Sequence, residues 1–308
     1  MRSRLFTAAV AATLSLSLTP AIANAEPAPV TGVELNQAVE QSVAVDATFD
    51  FDAAEKVGLP ALRQLRADMW DKNPYYMPFF EKREPGTLRL RDVAAEKGYP
   101  TKEAYVNAVQ LDHGLTRIAI QGAAEASSTF AHERPDGSKS DTATYNGLSG
   151  WGESLAAGRD LRSSILDGWG GKKEYDALIK SRGVNSPGNG HLHHLLNPDE
   201  TYFGFSEVRV PNTKYGTYTV ARSLNKPTNG ETLESGKQRV WLYRLAKSDE
   251  TPTGIKAGVP GPVNQAPGNS LGLGEGSSSE LITIIGIVFG VLSLLGAIAG
   301  IAKQLGLI

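Results

Sequence analysis

Apolar residues recur at helical spacing through the first two thirds of the chain and at alternate positions near its end, so helices are expected before strands. No usable period is visible before about Asp50. From there Asp52 and Glu55 make a capping-box start, and Pro60, Leu62, Leu65 and Met69 continue one helical face. The aromatic, proline-rich stretch 73–85 reads as a packed connector. Thr101, after Pro100, opens a helix through Tyr105 and Val109. Asp112-His113-Gly114 interrupts it, and Leu115, Ile118, Ala119, Gly122, Ala123 and Ala126 resume the spacing as a core helix. A further helical pattern runs over 153–168 through Leu155, Leu161 and Ile165, followed by a short one over 172–180. Residues 202–210, 215–222 and 239–245 are aromatic and β-branched, alternate in part, and are separated by turn residues. Helices followed by an antiparallel meander predict an α+β layered domain rather than a doubly wound parallel sheet.

The two ends carry different signals. Arg2 and Arg4, an uncharged run over 5–18 and the small-x-small finish Ala23-Asn24-Ala25 predict a cleaved signal peptide over 1–25. Residues 281–302 hold no charge, long enough as a helix to cross about 30 Å of hydrocarbon, which predicts a single C-terminal transmembrane helix. Lys303 beyond it places the C-terminus in the cytoplasm. Between domain and anchor, 246–280 is rich in Pro, Gly and Ser and reads as an unpacked tether. The expected organisation is therefore signal peptide 1–25, helical N-terminal extension 26–89, main domain 90–245, linker 246–280 and membrane helix 281–302, with the domain held extracytoplasmically.

Composition narrows the chemistry. With 308 residues there is ample chain for a buried core, and the formal charge of −2 lacks the basic surplus of a nucleic-acid binder. Cysteine is absent, so disulfides, thiolate metal sites and cysteine nucleophiles are excluded, and any metal must use His and carboxylates. Three blocks place such residues beside glycines or prolines, where elements end and sites are usually built: His132-Glu133-Arg134-Pro135-Asp136-Gly137, Gly152-Glu153-Ser154-Leu155-Ala156, and Gly188-Asn189-Gly190-His191-Leu192-His193-His194.

Taken in order, with Trp169, Glu174 and Tyr175 between the second and third blocks and Leu195-Leu196-Asn197-Pro198 after the third, these elements resemble the CAP superfamily (cysteine-rich secretory proteins, antigen 5 and pathogenesis-related proteins) in its bacterial SCP-like extracellular form. The resemblance covers about 90–224. It implies an α-β-α sandwich with a cleft lined by two His and two acidic residues, which match His132, Glu153, Glu174 and His191. Ser154 stands where the family usually has Asn. Such a quartet suits a divalent metal such as zinc, held by His132 and His191, and it equally suits acid–base work. The implied role is an envelope protein binding a metal, a lipid, a glycan or a peptide, with a metal-assisted hydrolase as the alternative.

His193 and His194 share a helical or a strand face with His191 depending on the local backbone, and are expected beside the site or at the surface. A serine hydrolase is a rival reading, since Gly152-Glu153-Ser154-Leu155-Ala156 matches a nucleophile elbow, with Asp167 or Asp176 and then His191 following in order. The polar stretch 141–149 lacks the buried strand such an elbow requires.

Overall fold

The computed structural model describes residues 27–260. β1 (Ser42–Asp50) runs directly into a wide turn over 54–58 and then α1 (Leu59–Lys72). α2 (Leu90–Glu96), α3 (Lys102–Asn107), the two-residue β2 (Gln110–Leu111) and α4 (His113–Ala126) follow. Next come β3 (Gly152–Ala157), α5 (Leu161–Ser163) continued by a wide turn over 164–169, α6 (Lys172–Lys180) and α7 (Gly190–Leu196). β4 (Tyr202–Arg209), β5 (Thr217–Leu224) and β6 (Lys237–Leu245) close the domain.

The strands form one sheet in the order β3-β5-β4-β1-β6, with β2 beside the start of β4. All pairs are antiparallel except β2 with β4. β4 serves two partners on the same side: its first residues meet β2, and its last, Val208 and Arg209, meet Phe49 and Thr48 of β1.

Alternation along β4 explains the layers, because successive side chains leave a strand on opposite faces. Phe203 and Phe205 point into a core shared with Leu62, Leu65, Leu192 and Leu195 from the helices of one face. Val208 joins Ala119, Ile120, Ala123 and Ala124 of α4 on the other, together with Val45, Phe49 and Val220. Burial of each such large apolar side chain contributes roughly 1.5–3 kcal/mol. α4 is buried almost all round because its outer side is covered too: Leu115 and Ile118 meet Val33, Leu35 and Tyr243.

Three expectations are corrected. The N-terminal segment is not a helical extension: β1 lies inside the sheet, paired along its whole length with β6. Its buried side is the alternating set Val43, Val45, Ala47 and Phe49. The helical pattern over 153–168 begins as strand β3, since Leu155 fills the α4 core only if 152–157 is extended. The fold with a C-terminal transmembrane helix is not found: no helix among the described residues is long and apolar enough to cross a membrane. The longest, α1 and α4, have 14 residues each, about 21 Å, against about 30 Å of hydrocarbon. The expectations for 1–25 and 281–302 lie outside the described residues.

The start of the expected tether is not loose. Thr253 donates its N–H to Ser42 O and accepts from Ala44 N–H, and Arg244 pairs with Glu250 at 2.6 Å.

Candidate functional site

β3 is an edge strand, and side chains from both layers meet around it. His132 follows α4 on one side. His191 stands in the first turn of α7 on the other. Their rings nonetheless lie 6.2 Å apart, centre to centre. Each presents Nδ1 to a carboxylate: His132 to Glu153 at 2.7 Å and His191 to Glu174 at 2.8 Å. The four residues singled out by the sequence are thus brought together as two His–Glu pairs.

Each pair is anchored differently. Glu153 and Arg222 face one another across β3 and β5, and Arg222 Nη2 donates to Glu153 Oε1 at 2.5 Å. Burial pushes the Glu153 carboxyl up, but the charge of Arg222 and the hydrogen bond from His132 outweigh it and hold the pKa below the ordinary value. Its carboxylate in turn raises the pKa of His132 by hydrogen bonding, against partial desolvation. Glu174 sits in the first turn of α6 and grips the start of α7 at two points, His191 Nδ1 and the N–H of Leu192 at 3.2 Å. Trp169 supplies the wall between the layers: its Nε1–H donates to Leu155 O of β3 at 3.2 Å, and its ring lies 6.2 Å from that of His191.

The loop carrying His132 is fixed by Arg134, whose guanidinium is buried. It donates to both oxygens of Glu125 on α4, to Leu35 O and to Thr142 Oγ1, all within 2.8–3.1 Å. Arg134 and Arg222 are the positioning groups that sequence reasoning did not assign. For Arg222 a signal exists, since it falls on the same side of its strand as the inward-facing Tyr218 and Val220.

His193 and His194 are interior rather than surface residues. His194 Nδ1 lies 2.8 Å from Ser154 Oγ and its Nε2 lies 2.6 Å from Ser223 Oγ, which donates to Glu200. Because the Ser223 hydroxyl proton goes to Glu200, His194 must carry its proton on Nε2 and accept from Ser154. Ser154, His194, Ser223 and Glu200 thus form a closed internal hydrogen-bonded chain. Ser154 has no exposed surface and lies within a strand, so it is not presented as a nucleophile. Of the partners expected for it, Asp176 pairs with Lys172 and His191 with Glu174.

His193 Nε2 donates to Met77 O at 2.7 Å, with its ring stacked on Tyr76 at 4.5 Å, while Nδ1 is buried without a partner. Desolvation pushes its pKa down to about 4. A folded pKa below the unfolded one means that the unfolded chain binds the proton more readily, so stability is full above about pH 6.5 and is lost as pH falls toward 4. The loss from this residue should reach about 3 kcal/mol. Urea unfolding at pH 7 and pH 4.5 should show a steep drop for the wild type and a shallower one for His193→Gln; equal slopes would refute the assignment.

Among the described residues, no group of three or more His, Asp and Glu is arranged to hold a metal. No family model matches the sequence, and no match is found among curated proteins or solved structures.

Proposed function

We propose that this chain is an exported protein of the bacterial cell envelope whose CAP-type domain binds a divalent metal, an envelope ligand, or both, at the His132–Glu153 and His191–Glu174 pairs. One observation carries the reading: two imidazoles with centres 6.2 Å apart, each with Nδ1 on a carboxylate. A carboxylate on Nδ1 fixes the tautomer with its proton there and leaves the Nε2 lone pair free to coordinate, which is how metal-ligating histidines are usually supported. Neutral imidazole suits zinc. An ion bound there would rest on His132 and His191, with its remaining positions taken by water or ligand, and would act as a Lewis acid. Two protein ligands make a weaker site than the three or four of established zinc proteins.

The test is calorimetric titration of the full chain with zinc. His132→Ala and His191→Ala should each weaken binding about tenfold or more, in line with the loss of one ligand, and the double variant should show no separate second site. Binding that survives in the double variant refutes the shared site.

Metal-assisted hydrolysis of an envelope substrate is the alternative at the same residues. It draws support from Glu153, kept ionised by Arg222 in a buried position beside a His132 side chain that is 57% exposed. Under that reading chelation abolishes product formation and zinc restores it.

A further inference from the structure

Away from the His–Glu pairs, beside the C-terminal end of α7, three large aromatic side chains stand out of the surface together. Phe80 is 88% exposed, Trp151 62% and Phe79 39%. They border a depression of about 340 Å³ whose other walls include Asp199, Glu200 and Asn225. A second hollow of about 500 Å³ shares Phe79, Phe80 and Asp199, so the two form one groove.

Packing does not account for these rings. Phe80 adopts φ 65°, a left-handed backbone that costs a bulky residue on the order of 1–3 kcal/mol, and the conformation leaves its ring in water. Trp151 is held by its backbone N–H on Ser223 O at 3.0 Å, at the entry to β3, with its indole outside. Phe79 is braced edge-on against buried His193 at 4.8 Å. Phe79 and Phe80 stand on a turn and Trp151 on the bend before β3, and together the three rings present an outward apolar surface of the kind that marks a binding site.

The charges at the rim select the ligand. Asp199 is paired with Lys97 at 2.6 Å. Glu200 is occupied by Ser223 and by Asn197 Nδ2, the latter at 3.1 Å. Glu81 and Glu96, in the wall of the second hollow, share Arg83 at 2.8 and 2.7 Å, so the carboxylates of the groove are already partnered, while oxygen acceptors, Lys82 and the Asn225 carboxamide remain along its edge. Flat apolar faces ringed by hydrogen-bonding groups are the complement of a pyranose, which has C–H faces and a rim of hydroxyls.

We propose that this groove binds a neutral saccharide chain, with sugar rings stacked on Trp151 and Phe80. The site shares no residue with the His–Glu pairs and stands or falls separately from the reading given to them. The experiment titrates the full chain with chitotetraose and with cellotetraose, followed by tryptophan fluorescence and calorimetry, and with tetramethylammonium as a cation control. Saturable binding of at least one oligosaccharide is expected. Trp151→Ala and Phe80→Ala should each weaken it at least tenfold, the usual scale for a lost stacking platform, while Trp151→Phe retains most of it and His132→Ala leaves it unchanged. The melting temperature of each variant checks folding, and should Phe80→Ala fail to fold, the Trp151 pair decides alone. No saturation by either sugar at millimolar concentration, undiminished binding in Trp151→Ala, or tighter binding of the ammonium probe overturns the proposal.

Discussion

Arg134→Met should destabilise the domain by roughly 3–5 kcal/mol, lowering its melting temperature by on the order of 10 °C. The guanidinium and the Glu125 carboxylate are both buried, and each is the main charge partner of the other. Removing the cation leaves a carboxylate in the interior whose remaining hydrogen bond comes from Gln121 at 3.2 Å. The cost is the uncompensated charge more than the lost bond, so Arg134→Met with Glu125→Leu should recover a large part of it. Because Arg134 also ties Leu35 and Thr142 to α4, the single variant should loosen the loop holding His132 and weaken zinc binding as well. Circular dichroism melts of the single and double variants check the first part and calorimetry the second. A single variant within about 1 kcal/mol of wild type, or a double variant no better than the single, would show that the pair does not carry the loop.

How much of this was legible in the sequence varies with the strength of the local signal. The three late strands and α6 follow directly from alternation and helical spacing, because their surroundings ask for what their sequences already prefer. In β1 the alternating set Val43, Val45, Ala47 and Phe49 is too short to stand out as a period by itself, and its partner β6 lies nearly two hundred residues away, so nothing local closes the pairing. β3 is the opposite case. Four of its six residues, Glu153, Leu155, Ala156 and Ala157, favour helices, and pairing with β5 holds the segment straight. The site residues were legible as residue types beside chain-direction changes. Their pairing was not: which carboxylate meets which imidazole depends on α4 and α7 lying on opposite faces of an edge strand, a property of the whole sheet. Arg222 was hidden for the same reason, since it becomes part of the site only through its cross-strand position opposite Glu153.

One glycine controls how closely the start of α4 approaches the sheet. Gly204, in β4, lies directly under the start of α4: a Cβ there would stand 2.1 Å from both Leu115 C and Thr116 N. These are backbone atoms of a helix that cannot turn aside as a side chain can, so the helix or the strand must move. Gly204→Ala should cost at least about 3 kcal/mol, the upper range for overpacking, because the displaced element carries much of the core. Gly190→Ala offers the contrast. Gly190 immediately precedes His191 in the first turn of α7, and a Cβ there meets nothing within 4 Å. It should be neutral or stabilising by up to about 1 kcal/mol, since alanine loses less backbone entropy in a helix. If α4 sets the spacing of the pairs, Gly204→Ala should also weaken zinc binding beyond what partial unfolding explains, measured well below its melting temperature, while Gly190→Ala leaves it intact. Equal stability of the two variants would mean that β4 and α4 are not in close contact.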